Sequence, residues 1–223
     1  MLNVICVLRS GGNYDAEWVR KLRDGVARNL TRKHKFVCLS DVDVPCERIP
    51  LKHDWTGWWS KIEMFRKGVI EGETLYFDLD TVITGPIEIL RNSLDFAMLQ
   101  SFWIADMVGS GVMYFSGDNV PHHIYDKFAK QPRAWIAHHE RNASGTYVGD
   151  QAFIADCFGQ ENIARVNDYL PGIKSYKFHC QKALPKDASI VCFHGNPRPT
   201  EVQTAWMAEH WNGVRPLTES DIA

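Results

Sequence analysis

The sequence has no surplus of positive charge, no long apolar run, no glycine-rich phosphate loop and no paired-cysteine motif. Each absence excludes something. Lys and Arg total 25 against 27 Asp and Glu, a net charge of -2, so the basic footprint of a nucleic-acid or anionic-membrane binder is missing. The opening run MLNVICVL breaks at Arg9-Ser10-Gly11-Gly12 with no basic segment before it. It is too short for a signal peptide or spanning helix and reads as a buried first strand. No later run reaches membrane-spanning length, so a soluble, cytoplasmic protein is expected. The six cysteines include no Cys-x-x-Cys pair, and Cys6, Cys38 and Cys192 lie inside apolar runs, where a thiol behaves as a small hydrophobe. Zinc and a disulfide framework are both disfavoured on that usage. Neither a Walker loop nor Gly-x-Gly-x-x-Gly occurs, which argues against ATPases and dinucleotide dehydrogenases. There is no Gly-x-Ser-x-Gly elbow either.

What is present reads as one α/β domain over residues 1–223. An apolar content of 45% in 223 residues suffices for one good core, and strand and helix patterns alternate along the chain. Residues 2–8, FVCL (36–39), TLYF (74–77), FAML (96–99), GVMYF (111–115) and SIVCF (189–193) read as strands. Trp18, Val19, Leu22, Val26 and Leu30 recur at helical spacing, with Asp15 placed as the cap. Trp59, Ile62, Phe65 and Val69 predict a second amphipathic helix. Others are expected from Pro121 to Lys130, from Asp150 to Phe158 and over 200–211, with a polar working loop from Lys130 to Tyr147. The expected architecture is a central mixed, mostly parallel sheet flanked by helices.

The chemistry concentrates in TLYFDLDTVITG, residues 74–85. In an extended backbone Asp78 and Asp80 share a face. Two carboxylates about 5 Å apart repel by roughly 3 kcal/mol at an effective dielectric of ~20. Between buried strands that repulsion calls for a cation or a shared proton, and carboxylate oxygens suit Mg²⁺ or Mn²⁺. The second such triplet, Asp41-Val42-Asp43, follows Ser40 and precedes Pro45; it reads as a solvated strand-end loop. Taken singly, Lys61 reads as a helix-surface lysine, Asp150 as a helix cap and His194 as a half-buried histidine.

In order along the chain, these landmarks resemble the GT-A nucleotide-sugar glycosyltransferases, particularly the glycogenin-like family-eight group. The resemblance places the nucleotide base near Leu8 at the end of the first strand, with Tyr14 packing on uracil. It implies a donor-binding lysine in WWSKIEMF, Lys61, and an Asp-x-Asp in which Asp80 binds metal directly while Asp78 holds metal and ribose. GSGVMYF (109–115) is similar to the family's Asn-Ser-Gly-Val strand, which implies a donor contact at Ser110; Gly109 stands where the family has Asn. VGDQAF (148–153) matches a Gly-Asp-Gln element, making Asp150 and Gln151 the catalytic candidates. FHGNPRP (193–199) is similar to the closing His…Gly…Lys-Pro segment, with His194 as third metal ligand and Gly195 and Arg198 at the diphosphate. Its interval is two residues shorter than glycogenin's, and Arg replaces Lys with a planar fork.

The resemblance implies a metal-dependent transferase that uses Mn²⁺ or Mg²⁺. It would move a sugar from a nucleotide-sugar donor, such as a UDP-sugar, to a glycan, lipid-linked or small-molecule acceptor hydroxyl, with retention of configuration. Two rivals are a haloacid-dehalogenase-type phosphatase, because FDLDTV resembles that superfamily's nucleophile motif, and a non-catalytic nucleotide-sugar binder. The tandem pairs His122-His123 and His138-His139 are expected to diverge and to hold no metal. Trp55, Trp58, Trp59, Trp103 and Trp135 are assigned no role.

Overall fold

The computed structural model describes residues 1–89, 96–115, 120–140, 148–213, 216–218 and 221. Strand β1 (Leu2–Leu8) sends Leu2, Val4, Cys6 and Leu8 to one apolar cluster and Ile5 to another. That is the period-two signature of a strand buried on both faces. Parallel neighbours flank it: β2 (His34–Ser40), then β3 (Glu47–Pro50) outside it, and β4 (Thr74–Phe77) on the other side. A separate sheet contains β5 (Thr81–Ile83). The main sheet continues with β6 (Ala97–Gln100), β7 (Val108–Phe115) and β8 (Ala164–Arg165), in the order β3-β2-β1-β4-β7-β6-β8. Only β7 runs against the rest. The mostly parallel α/β architecture expected from the sequence is the one observed.

Helix α1 (Ala16–Asn29) starts at Asp15, whose carboxylate accepts the Glu17 N–H at 3.0 Å, and lays Trp18, Val19, Leu22 and Val26 on the first cluster. The opposite face is covered by α2 (His122–Lys130), α3 (Pro132–Glu140) and α4 (Asp150–Phe158) together with residues 57–65. The small sheet places β10 (Ile190–Cys192) between β5, antiparallel, and β9 (Ile173–Ser175), parallel.

Three expectations needed correction. Gly57–Phe65 is a 3₁₀ segment rather than an amphipathic α-helix to Val69, because Trp59 through Phe65 are all buried and no face is left for water. Residues 132–140 form α3 rather than loop: Pro132 presets the first turn, and Trp135, Ile136 and His139 supply an inward face too sparse to stand out in the sequence. The remainder of that expected loop, 141–147, lies outside the described residues. The final helix splits into a 3₁₀ turn at Pro199–Glu201 and a short helical stretch from Ala205, started by Thr204 accepting the Met207 N–H.

Candidate active site

The site gathers where β1 and β4 end, beside β7 and the end of β10. Ligands in α/β sheets bind at such carboxyl ends. Strand β4 stops at Phe77 because the Thr81 N–H turns back to the Asp78 carbonyl at 3.1 Å. The backbone therefore does not stay extended through Asp78 and Asp80, but the Asp78 charge still acts on the Asp80 carboxyl. The Asp78 N–H donates to the Gly111 carbonyl at 2.9 Å, and a β-carbon on Gly111 would sit 3.4 Å from Asp78 Oδ2. The missing side chain leaves room for that carboxylate.

Lys61 is the hub of the first half. It is buried, with Nζ 2.9 Å from both Asp78 Oδ1 and Asp150 Oδ2 and 2.9 Å from Ser110 Oγ. Burial opposes its charge, but Asp150 and Asp78 more than compensate and hold the ammonium above its ordinary pKa. Ser110 is reachable because the β6–β7 register breaks between Met98 and Leu99. That irregularity frees the Ser110 carbonyl, which accepts from Lys61 at 3.3 Å. The Tyr76 hydroxyl donates to Asp78 Oδ1 at 2.6 Å. Asp150 opens α4 behind Gly149, whose φ is +80° and where a β-carbon would stand 3.0 Å from Trp58 Nε1. Gln151 follows it, with Oε1 3.7 Å from where a Gly109 β-carbon would be.

Asp80 anchors the second half. The Tyr14 hydroxyl donates to Asp80 Oδ2 at 2.9 Å, and Arg198 donates to the same hydroxyl while its guanidinium lies 5.0 Å over the Tyr14 ring. Arg198 Nη1 is 3.9 Å from Asp80 Oδ2. Burial first, and then the charge of Asp78, push the Asp80 carboxyl up to about 7 despite these partners. Arg198 and Lys61 offset this only in part, and a divalent cation would supply further countercharge. The carboxylate pair fits such an ion. Leu8 is buried at the end of β1, with its side chain in the first apolar cluster.

His194 arrives by pairing of the small sheet: the Phe193 N–H donates to the Asp80 carbonyl at 3.2 Å. Its side chain points elsewhere. Trp103 Nε1 donates to His194 Nδ1 at 3.2 Å, Ser175 Oγ lies 2.6 Å from Nε2, and Phe102 stacks at 5.4 Å. Burial, with Lys177 beside it, lowers its pKa to about 4, so the ring is neutral. Both nitrogens are engaged, and the ligand atoms of Asp78, Asp80 and His194 do not gather within 4.8 Å of one another. Gly195, with φ +85°, is next, and Lys177 Nζ lies 3.5 Å from where its β-carbon would be.

Sequence reasoning left Trp58 and Trp103 without a role and passed over Tyr76, Ser175 and Lys177, although Trp58 and Tyr76 lie within WWSKIEMF and TLYFDLDTVITG; their contacts depend on tertiary packing. In the second acidic triplet Asp43 is solvated, but Asp41 ties down the loop after β1. It accepts the Ser10 N–H at 2.8 Å and the Ser10 hydroxyl at 2.6 Å.

No protein-family model matches the chain, and no curated protein matches it in sequence. Solved structures do match in fold. The galactosyltransferase LgtC, solved in complex with donor and acceptor sugar analogues, superposes with a TM-score of 0.63 at 12% identity, over 98% of each chain. The glycosyltransferase GlyE of Streptococcus pneumoniae TIGR4 gives 0.57 at 14% identity, over 89% of this chain and 56% of GlyE. The bifunctional glycosyltransferase WbbM gives 0.56 at 12%, over 89% and 46%. This chain thus spans about half of GlyE and WbbM and nearly all of LgtC. Its fold is that of the GT-A glycosyltransferases.

Proposed function

We propose that the protein is a glycosyltransferase that moves a sugar from a UDP-sugar to an acceptor hydroxyl, with retention of configuration. The observation that carries this reading is the acidic pair, with Asp78 and Asp150 both locked to Lys61 and the Asp80 carboxyl pushed up by burial and by Asp78, at the carboxyl edge of a glycosyltransferase fold. Mn²⁺ or Mg²⁺ held by Asp78 and Asp80 would supply positive charge to a departing diphosphate. His194 would offer a third ligand nitrogen if its ring were released from Trp103 or Ser175.

Arg198 and Lys177 add fixed positive charge for the phosphates, as leaving-group stabilisation requires. Tyr14 holds Asp80 in place and offers a ring edge to the base beside Leu8. Lys61 orients Asp78 and Asp150, and Gln151 faces the sugar over Gly109, which has no side chain to block it. Ser110 contacts the donor while fixing Lys61, and Gly195 lets backbone approach the diphosphate. The acceptor, as a glycan, lipid-linked sugar or small molecule, would enter past the exposed Trp58 beside Gly149.

The test is a screen of UDP-, GDP- and CMP-sugars for donor hydrolysis with and without Mn²⁺. Metal-dependent release of UDP supports the reading. Turnover of p-nitrophenyl phosphate that Asp78→Asn abolishes would replace it with a phosphatase. Tight UDP-sugar binding with neither hydrolysis nor transfer would leave a binding protein.

A further inference from the structure

Three side chains of metal-ligating type converge from two helices, α3 and α4. One ligand atom each from His138, His139 and Asp156 lies within 4.8 Å of the other two. The tandem imidazoles, expected to diverge, instead stand 4.8 Å apart between centroids with their planes at 86°. His139 Nε2 is 3.5 Å from Asp156 Oδ2. That exceeds the ~2.7–3.2 Å of an N–H···O bond. It matches the spacing of about 3.3–3.4 Å between two atoms each about 2.0–2.1 Å from a tetrahedral zinc ion.

The decisive detail is the orphaned nitrogen. His139 is 5% exposed, and its Nε2 has no hydrogen-bond partner. Buried polar atoms are nearly always satisfied, so one aimed at a carboxylate and a second imidazole marks a missing group. Lys127 is drawn aside over the Trp135 ring, at 5.0 Å.

We infer that His138, His139 and Asp156 form a Zn²⁺ site that staples α3 to α4. Two imidazoles and one carboxylate suit zinc and disfavour Mg²⁺ and Ca²⁺, which require mostly oxygen. Water completes the fourth position, since His138 and Asp156 are both exposed. The staple bears on the rest of the fold because the His139 carbonyl accepts the Gly149 N–H at 3.1 Å, immediately before Asp150. Fixing α3 against α4 therefore also fixes the corner from which Asp150 faces Lys61. The zinc reading itself uses none of Asp78, Asp80 or His194.

The full chain, stripped with chelator, is titrated with ZnSO₄ by calorimetry and thermal unfolding, and with Co²⁺ by visible absorption. The wild type should bind Zn²⁺, unfold at a higher temperature with it, and show the d–d bands of tetrahedral Co²⁺. His138→Ala and Asp156→Asn alter exposed side chains, so their metal-free unfolding temperatures should match the wild type. Each should weaken zinc binding at least about tenfold, as loss of a direct ligand does at minimum, while Asp80→Asn keeps the zinc-induced shift. Unchanged zinc affinity in either His138→Ala or Asp156→Asn would overturn the site. So would a wild type that zinc does not stabilise, or a shift that disappears in Asp80→Asn.

Discussion

The Tyr14 hydroxyl donates to Asp80 Oδ2 at 2.9 Å across 66 positions of sequence, and it receives the Arg198 guanidinium in turn. Tyr14 thus has two jobs that substitutions can separate. Tyr14→Phe keeps a ring for the base but deletes a hydrogen bond to a charged group, which contributes roughly 1.5–3 kcal/mol. It should weaken Mn²⁺ binding at least about tenfold and leave the affinity for metal-free UDP intact. Tyr14→Ala should lose the metal contribution and also ~1–2 kcal/mol of UDP binding from the missing ring. Equal UDP affinity in the Phe and Ala variants would place the base pocket elsewhere.

Lys61 is the shared cation of two carboxylates, the buried Asp150 and the partly exposed Asp78. Replacing it with Met leaves Asp78 and Asp150 facing each other without a cation. Breaking a buried ion pair from one side costs about 3–5 kcal/mol. Lys61→Met should therefore lower stability to chemical denaturation by that order, and adding Asp150→Asn should recover part of it. If the double variant is no more stable than the single one, the pairing with Asp150 is not what holds this corner.

Asp80 makes cation binding pH-dependent. Its folded-state pKa of about 7 lies above the usual 3.8, so the folded chain holds the proton more tightly than the unfolded one. Stability from this group is fully present below pH ~4 and is lost as pH rises through ~7. A divalent cation needs the ionised form. Its affinity should rise with pH and level off above ~7, with proton uptake by the buffer on binding. Calorimetry in buffers of different ionisation enthalpy checks this. A flat affinity between about pH 5.5 and 7.5 would contradict it.

The position of His194 gives a prediction of opposite sign. If its Nδ1 is to reach the metal, the Trp103 indole competes with the ion. Trp103→Phe should then tighten Mn²⁺ binding in the presence of UDP, while His194→Ala weakens it. Identical affinities in wild type and both variants would make the histidine a packing residue held by Ser175 and Phe102.

Strand β1, strand β4 and helix α4 were legible to the residue, because their apolar runs and flanking polar residues admit one period and one boundary. The sequence expectation that His194 meets Asp78 and Asp80 was matched only by the backbone, where the Phe193 N–H reaches the Asp80 carbonyl, and not by the His194 ring. Side-chain direction was not legible. The turn after Asp78 depends on a backbone bond to Thr81, and the engagement of His194 depends on Trp103, which arrives from a different strand connection. The His138-His139 pair was set aside because adjacent side chains diverge in most backbones and the stretch was expected to be loop; Asp156 comes from α4, and no local pattern links it to the pair.

The proposed transfer turns on the joint hold of Asp78 and Asp80 on a divalent cation bound with the diphosphate of a nucleotide. It is tested most directly by titrating Mn²⁺ into the protein with and without UDP and following free Mn²⁺ by electron paramagnetic resonance, in wild type and in Asp80→Ala. Far tighter Mn²⁺ binding with UDP present, and loss of that gain in Asp80→Ala, is the predicted result. The same Mn²⁺ affinity with and without UDP, or a UDP-dependent gain that survives Asp80→Ala, would contradict it.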